Sequence, residues 1–212
     1  MAERNPLQVS YDRLAADYAA RLADELAGKP LDRALLASFA EQVRPLGPVC
    51  DLGCGPGHVA AALAGLGLIA VGFDLAAGML GQGRRRFPAL PFAQADLRAL
   101  PVRAASLGGI SAFYSIIHVA PDELAAAFGD WRRALRPAGR ALVAFHIGDH
   151  TVHLDEMWEQ PVDLDFHFLD PAAVGAALGA AGFAIEAVVE RAPYPDVEHQ
   201  SRRCYIQARN PG

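Results

Sequence analysis

Asp51-Leu-Gly53-Cys54-Gly55-Pro-Gly57 sets three alternating glycines behind an acid and closes on His58. Glycines at this spacing let the backbone turn sharply and approach a ligand. A nucleoside-triphosphate loop needs Lys and then Ser or Thr after its last glycine, and His58-Val59 supply neither. A dinucleotide fingerprint read from Gly53 places His58 where close helix-to-strand packing asks for Gly or Ala. Asp51 would repel a pyrophosphate, yet it can accept from an ammonium group or from loop amides. The implied ligand carries a positive group and no phosphate. A tight strand-to-helix turn is the alternative reading of the same residues.

Other side chains with chemical capacity fall later in the chain. Five of the seven histidines, His118, His146, His150, His153 and His167, lie between residues 118 and 167. His118 and His146, at expected strand ends, are candidate general bases or ordinary hydrogen-bonded pocket histidines. His146, His150 and His153 have usable spacing for a metal, but Gly148-Asp149 breaks the helical reading and no cysteine pair accompanies them; no metal is expected. Tyr114 and His118 are the side chains expected nearest a reacting centre. The run Arg84-Arg85-Arg86 ahead of Pro88 suits a helix C-terminus better than a phosphate.

The elements that must position these groups alternate two periods. Ser10 reads as an N-cap for a helix over residues 11–27, and residues 31–43 repeat the helical spacing before Pro45 and Pro48. From Val49 the pattern becomes strand, helix, strand: VCDL, LIAVGFD, LPFAQAD, GGISAFY and ALVAFH are short apolar runs, separated by helical stretches near 58–66, 76–87 and 122–135. Buried parallel strands read this way. A helix near 171–181 precedes AIEAVVERA and RRCYIQAR, which are expected to pair antiparallel at the sheet edge. The expectation is a single α/β domain over residues 1–212: a doubly wound, mostly parallel seven-stranded sheet, an antiparallel last strand and an N-terminal helical cap over residues 1–45. The glycine loop then lies at the end of the first strand, where open parallel sheets bind ligands.

Composition narrows the function classes. The 212 residues are 52% hydrophobic and 20% charged, enough to bury one core. A net charge of −5 argues against attraction to nucleic-acid backbones. No stretch approaches eighteen apolar residues, and the N-terminus is polar, so no membrane association and a cytoplasmic location are expected. Three cysteines, Cys50, Cys54 and Cys204, suggest a reducing compartment rather than a disulfide framework. Heavy use of Ala, Arg and Gly points to a GC-rich bacterial genome.

VCDLGCGPGHVA (49–60) resembles motif I of the class I S-adenosylmethionine-dependent methyltransferases, and GFDLAAGML, AQADLRALPV, FYSIIHV and WRRALRPAGRALVAF resemble that family's following segments in the same order. The resemblance covers about residues 10–145. It implies S-adenosyl-L-methionine as cofactor and S-adenosyl-L-homocysteine as product. It assigns Asp74 to the ribose hydroxyls, Asp96 and Leu97 to the adenine, and Tyr11 and Tyr18, one helical face apart, to the methionine end, with core packing as the alternative for the two tyrosines. Asp51, Gly53, Cys54, Gly55 and Gly57 fall in its glycine motif, with Leu75, Met79 and Ala112 on neighbouring segments. Helix capping by Asp74 and solvation of Asp96 are the alternative readings. Pro137-Ala138-Gly139 departs from the family's Pro-Gly-Gly turn.

The acceptor is less legible. The [DNS]-P-P-[YFW] signature of methyltransferases acting on nucleic-acid or amide nitrogens is absent, so a small molecule methylated on O or N is expected, by in-line displacement from a positioned donor. Residues 146–170 are long for a connection and carry Trp158, Phe166 and Phe168; they read as a cover over the acceptor, with Val162 to Phe168 strand-like and His146 and His167 facing inward. If Asp149, Asp155, Glu156, Glu159, Asp163 and Asp165 face the pocket mouth, they favour a neutral or cationic aromatic or heterocyclic acceptor. The chain is expected to be a monomer or homodimer. A non-catalytic cofactor-binding protein and a nicotinamide-dependent dehydrogenase are the competing readings.

Overall fold

A computed structural model describes residues 5–212; residues 1–4 of the expected cap lie outside them. The chain forms α1 (Pro6–Leu22), α2 (Pro30–Val43), β1 (Val49–Leu52), α3 (His58–Gly65), β2 (Ala70–Asp74), α4 (Ala77–Arg86), β3 (Phe92–Gln94), β4 (Leu107–Phe113), α5 (Leu124–Ala134), β5 (Leu135–His146), β6 (Thr151–Met157), β7 (Gln160–His167), α6 (Pro171–Ala180), β8 (Ala184–Arg191) and β9 (Arg203–Arg209). The main sheet has the order β3-β2-β1-β4-β5-β9-β8. Its first five strands are parallel, and β9 runs antiparallel to both β5 and β8. Strand order reverses between β1 and β4, which opens a crevice at the strands' C-terminal ends. Among the described residues no helix is long and apolar enough to cross a membrane.

Helices bury both faces of the central strands β1 and β4, which is why those strands read as nearly continuous apolar runs. Phe128 and Trp131 of α5 and Val174 and Leu178 of α6 pack on one face. Leu36, Phe39 and Val43 of α2 and Val59 and Leu63 of α3 cover the other. A separate cluster joins Leu14 of α1 to Val162 and Leu164 of β7. The N-terminal helix and the β6–β7 hairpin therefore form one layer of their own above the strand ends.

The first helix starts earlier than the sequence suggested. Asn5 is the N-cap, accepting from the Leu7 amide at 2.9 Å, and Pro6 occupies the first turn. Ser10 is buried inside the helix, where its hydroxyl accepts from the Asp163 amide at 2.9 Å and so ties the helix to the hairpin. The helix stops at Leu22, and Glu25–Gly28 form a separate 3₁₀ turn. Residues 146–170 hold two strands rather than one, turning through Trp158 and Glu159, whose φ values are 53° and 63°. The Pro-Ala-Gly turn places Ala138, where the family has Gly, at φ 64°.

Candidate functional site

The glycine loop folds back on the end of β4. A Cβ on Gly53 (φ 64°) would stand 2.3 Å from the Ser115 Cβ, so this position admits only glycine. Gly57 instead sits against the Phe92 ring, behind the crevice. Gly55 faces the crevice, with only Tyr18 in front of it, 3.7 Å from where its Cβ would be. Its amide donates to Asp74 Oδ2 at 2.8 Å, while Asp74 Oδ1 accepts from Ala76 at 2.8 Å. The carboxylate at the end of β2 thus ties the loop to the start of α4. Each of its oxygens keeps a free lone pair.

Around these groups lies a cleft of about 240 Å³. Tyr18, Gly53, Gly55, Asp74, Leu75, Met79, Asp96, Leu97, Tyr114 and His118 all line it, although they come from five different stretches of chain. Asp96 sits at its outer end, paired with Arg98 at 2.8 Å, an ion pair that holds the carboxyl below its usual range. Four expected residues do not line this cleft. Ala112 is in the core, Gly57 packs as described, and Asp51 and Cys54 border a separate small void with His58. Tyr11 lines the cleft with Tyr18, and Gln8 and Ser115 line it without having been expected there.

Asp51 is 1% exposed. Its Oδ1 accepts from Ser111 Oγ at 2.7 Å across the β1–β4 pairing, but Oδ2 makes no hydrogen bond. Burial pushes its carboxyl up to about 7, and Asp74 up to about 6. Asp51 is the one short of a donor, on Oδ2, whereas both Asp74 oxygens accept from backbone amides.

A second cavity, of about 480 Å³, adjoins the first, and Tyr11, Tyr18 and Tyr114 line both. Val152, Leu154, Met157, Trp158, Phe166 and Phe168 of the hairpin form its apolar wall, and His146 and His199 stand among Glu25, Lys29, Glu198 and Arg203 on the other side. His167 is not among them; it pairs with Thr151 at 2.8 Å on the hairpin's far face. Nor does any of the six hairpin acids line this cavity. The preference for a neutral or cationic acceptor loses its premise, because side chains alternate along a strand and these acids fall on the outer face.

The two histidines differ in what they leave free. His118 has both ring nitrogens engaged, Nδ1 with the Asp165 carbonyl at 2.8 Å and Nε2 with Tyr11 Oη at 2.6 Å. Burial lowers it to about 4, so it is the neutral tautomer that donates to Asp165 and accepts from Tyr11. His146 uses only Nδ1, with Ser201 Oγ at 2.8 Å. Burial, then the nearby Arg203, lowers it to about 3. Its register partner on β9 is Arg203.

Comparison with known proteins bears on this arrangement. A methyltransferase-domain family matches residues 49–139. The chain is 31% identical over 211 residues to a malonyl-[acyl-carrier protein] O-methyltransferase from Methylovorus sp. strain MP688, covering 90% of this chain and 64% of that protein. It is 35% identical over 101 residues to a demethylmenaquinone methyltransferase from Beutenbergia cavernae, covering 48% of this chain and 41% of that one. The chain thus spans less than two thirds of the length of these relatives. Its fold matches magnesium protoporphyrin IX methyltransferase from Synechocystis PCC 6803, solved with bound SAM, at a TM-score of 0.70 and 17% identity over 99% of both chains. Residues 49–139 belong to a methyltransferase-domain family, and the chain has the Rossmann-like fold of the class I S-adenosylmethionine-dependent methyltransferases. In this methyltransferase fold the family match ends at residue 139, so β6, β7 and the strand carrying Arg203 lie beyond it. The residues that line the second cavity come almost entirely from outside that match. Lys29, Glu198 and Arg203 were missed for this reason: only the β5–β9 pairing and the turn before α2 bring them together.

Proposed function

We propose that this chain transfers the methyl group of S-adenosyl-L-methionine to an oxygen or nitrogen of a small molecule held under the hairpin, leaving S-adenosyl-L-homocysteine. The observation that carries this reading is the pair of cavities sharing Tyr11, Tyr18 and Tyr114 as their common border. A donor in the first and an acceptor in the second would meet there. When bound, the cofactor supplies an activated methyl on a positive sulfur.

The chain's own residues fit that group. The partnerless Asp51 Oδ2 accepts from an ammonium, and the free lone pairs of Asp74 accept from a diol. Leu75, Met79 and Leu97 give an apolar seat for a flat heterocycle. Tyrosine faces at the junction steady positive charge. Seated reactants and excluded water supply much of the rate enhancement, and positioning alone is worth up to about 7–11 kcal/mol in such transfers. His118 holds the Tyr11 hydroxyl in place, leaving no nitrogen for a proton from the acceptor. His146, with Nδ1 donating to Ser201, offers Nε2 as the acceptor and is the candidate base.

Incubation with S-adenosyl-L-methionine and a panel of aromatic alcohols, amines and acids tests the reading through S-adenosyl-L-homocysteine release. Release dependent on one acceptor is expected, and His146→Ala should cut kcat by at least about tenfold. Binding of the cofactor without release for any acceptor would instead favour a non-catalytic binding protein.

A further inference from the structure

The polar end of the second cavity holds two cations almost out of solvent: the side chains of Lys29 and Arg203 are 3% and 2% exposed. Charge there is balanced, with Lys29, Arg191 and Arg203 facing Glu25, Asp32 and Glu198. Donor capacity is not balanced. Glu198 already accepts from both terminal nitrogens of Arg191 and from the Tyr194 amide. Asp32 Oδ1 accepts from Arg191 and from the Tyr205 hydroxyl. Glu25 is shared between Lys29, at 2.6 Å, and His58, at 3.1 Å.

Asp32 Oδ2 is left without a donor but does not line the cavity; the capacity left over at the cavity wall lies on the two cations that do line it. Among the described residues, the Arg203 guanidinium donates only from Nη1, to Ser201. Its Nε lies 2.9 Å from Glu198 Oε2 but off the N–H direction, so it makes an ion contact and no hydrogen bond. Lys29 donates to Glu25 and stands 3.5 Å from Glu198, with further donor capacity on its ammonium. A buried guanidinium with Nη2 unpaired and Nε misaligned is costly, and a carboxylate is the group that suits such donors, with Lys29 beside them. The potential agrees: beyond the effect of burial, Arg203, His199 and Lys29 all push His146 down, against Glu198 alone.

We infer that the acceptor is an apolar, aromatic-sized molecule bearing a carboxylate, anchored by Arg203 and Lys29 with its body against Met157, Trp158, Phe166 and Phe168. This deepens the methyltransferase reading and rests on it for the cavity's role. It reverses the charge preference drawn from the hairpin acids.

Calorimetry on the whole chain saturated with S-adenosyl-L-homocysteine, using 2-naphthylacetate, 2-naphthylacetamide and 2-(2-naphthyl)ethylamine as probes, tests it. The carboxylate is expected to bind at least about tenfold tighter than either analogue, a difference of about 1.4 kcal/mol. Arg203→Gln should abolish that preference and Lys29→Gln should reduce it at least about threefold, with cofactor affinity kept in both. If Arg203→Gln does not fold, the Lys29→Gln ratio decides. Equal or tighter binding of the amide or amine, a preference that survives in the folded variants, or binding of none of the three overturns the inference. Failure of S-adenosyl-L-homocysteine itself to bind would instead overturn the reading beneath it.

Discussion

Asp51 is a buried carboxylate with one oxygen unpaired, and Asp74 a half-buried one that accepts from two backbone amides. A ligand that donates to them needs both ionised. Because burial holds Asp74 at about 6 and Asp51 at about 7, affinity for S-adenosyl-L-homocysteine should fall as pH drops from about 8 to 5 and level off above that window. His118 and His146, held at about 4 and about 3, stay neutral across the window and add nothing to the slope. Calorimetry over that range checks this, and a flat profile would remove both acids from the binding account. Asp74→Asn keeps the shape but replaces one acceptor oxygen with a donor facing a backbone amide. It is expected to weaken S-adenosyl-L-homocysteine at least about tenfold, each charge-assisted bond being worth about 1.5–3 kcal/mol. Unchanged affinity would leave Asp74 as a loop tie only.

The hairpin shows at element scale what a linear reading reaches and where it stops. The strands and helices from Val49 onward were legible because buried parallel strands and their crossover helices have distinct apolar periods, and the glycine motif with Asp74, Asp96 and Leu97 lies within that part. Strand β7 could be read from its alternation. Strand β6, TVHLDEM, could not, because most of its positions are exposed and its partner register comes from pairing. The same reason hid Arg203, which reaches the cavity only because β9 pairs with β5. Trp158 occupies a left-handed turn position that a bulky residue rarely takes, at a cost of order 1–3 kcal/mol. That strain aims the indole at the edge of Tyr18, 6.0 Å away, and into the second cavity. Trp158→Asn should therefore raise KM for the acceptor several-fold while leaving stability equal or higher, read by steady-state kinetics and a melting curve. Lower stability with an unchanged KM would make the indole packing alone.

For the whole molecule, one layer covers both cavities. Helix α1 and the hairpin are joined through Ser10 to Asp163 and through Tyr11, His118 and Asp165, and α1 reaches the body where the Gly78 amide donates to Asp12 at 2.7 Å. A ligand filling the first cleft touches the sheet ends and this layer together, so its binding free energy adds to the stability of the whole fold. At about a hundred times its Kd, S-adenosyl-L-homocysteine should add about 2.7 kcal/mol. For a chain of this length the shift in Tm is about 5–11 °C. A melting experiment with S-adenosyl-L-homocysteine beside NADH is the most direct test: the account predicts that shift from the first and none from the second, and a shift from NADH alone would contradict it.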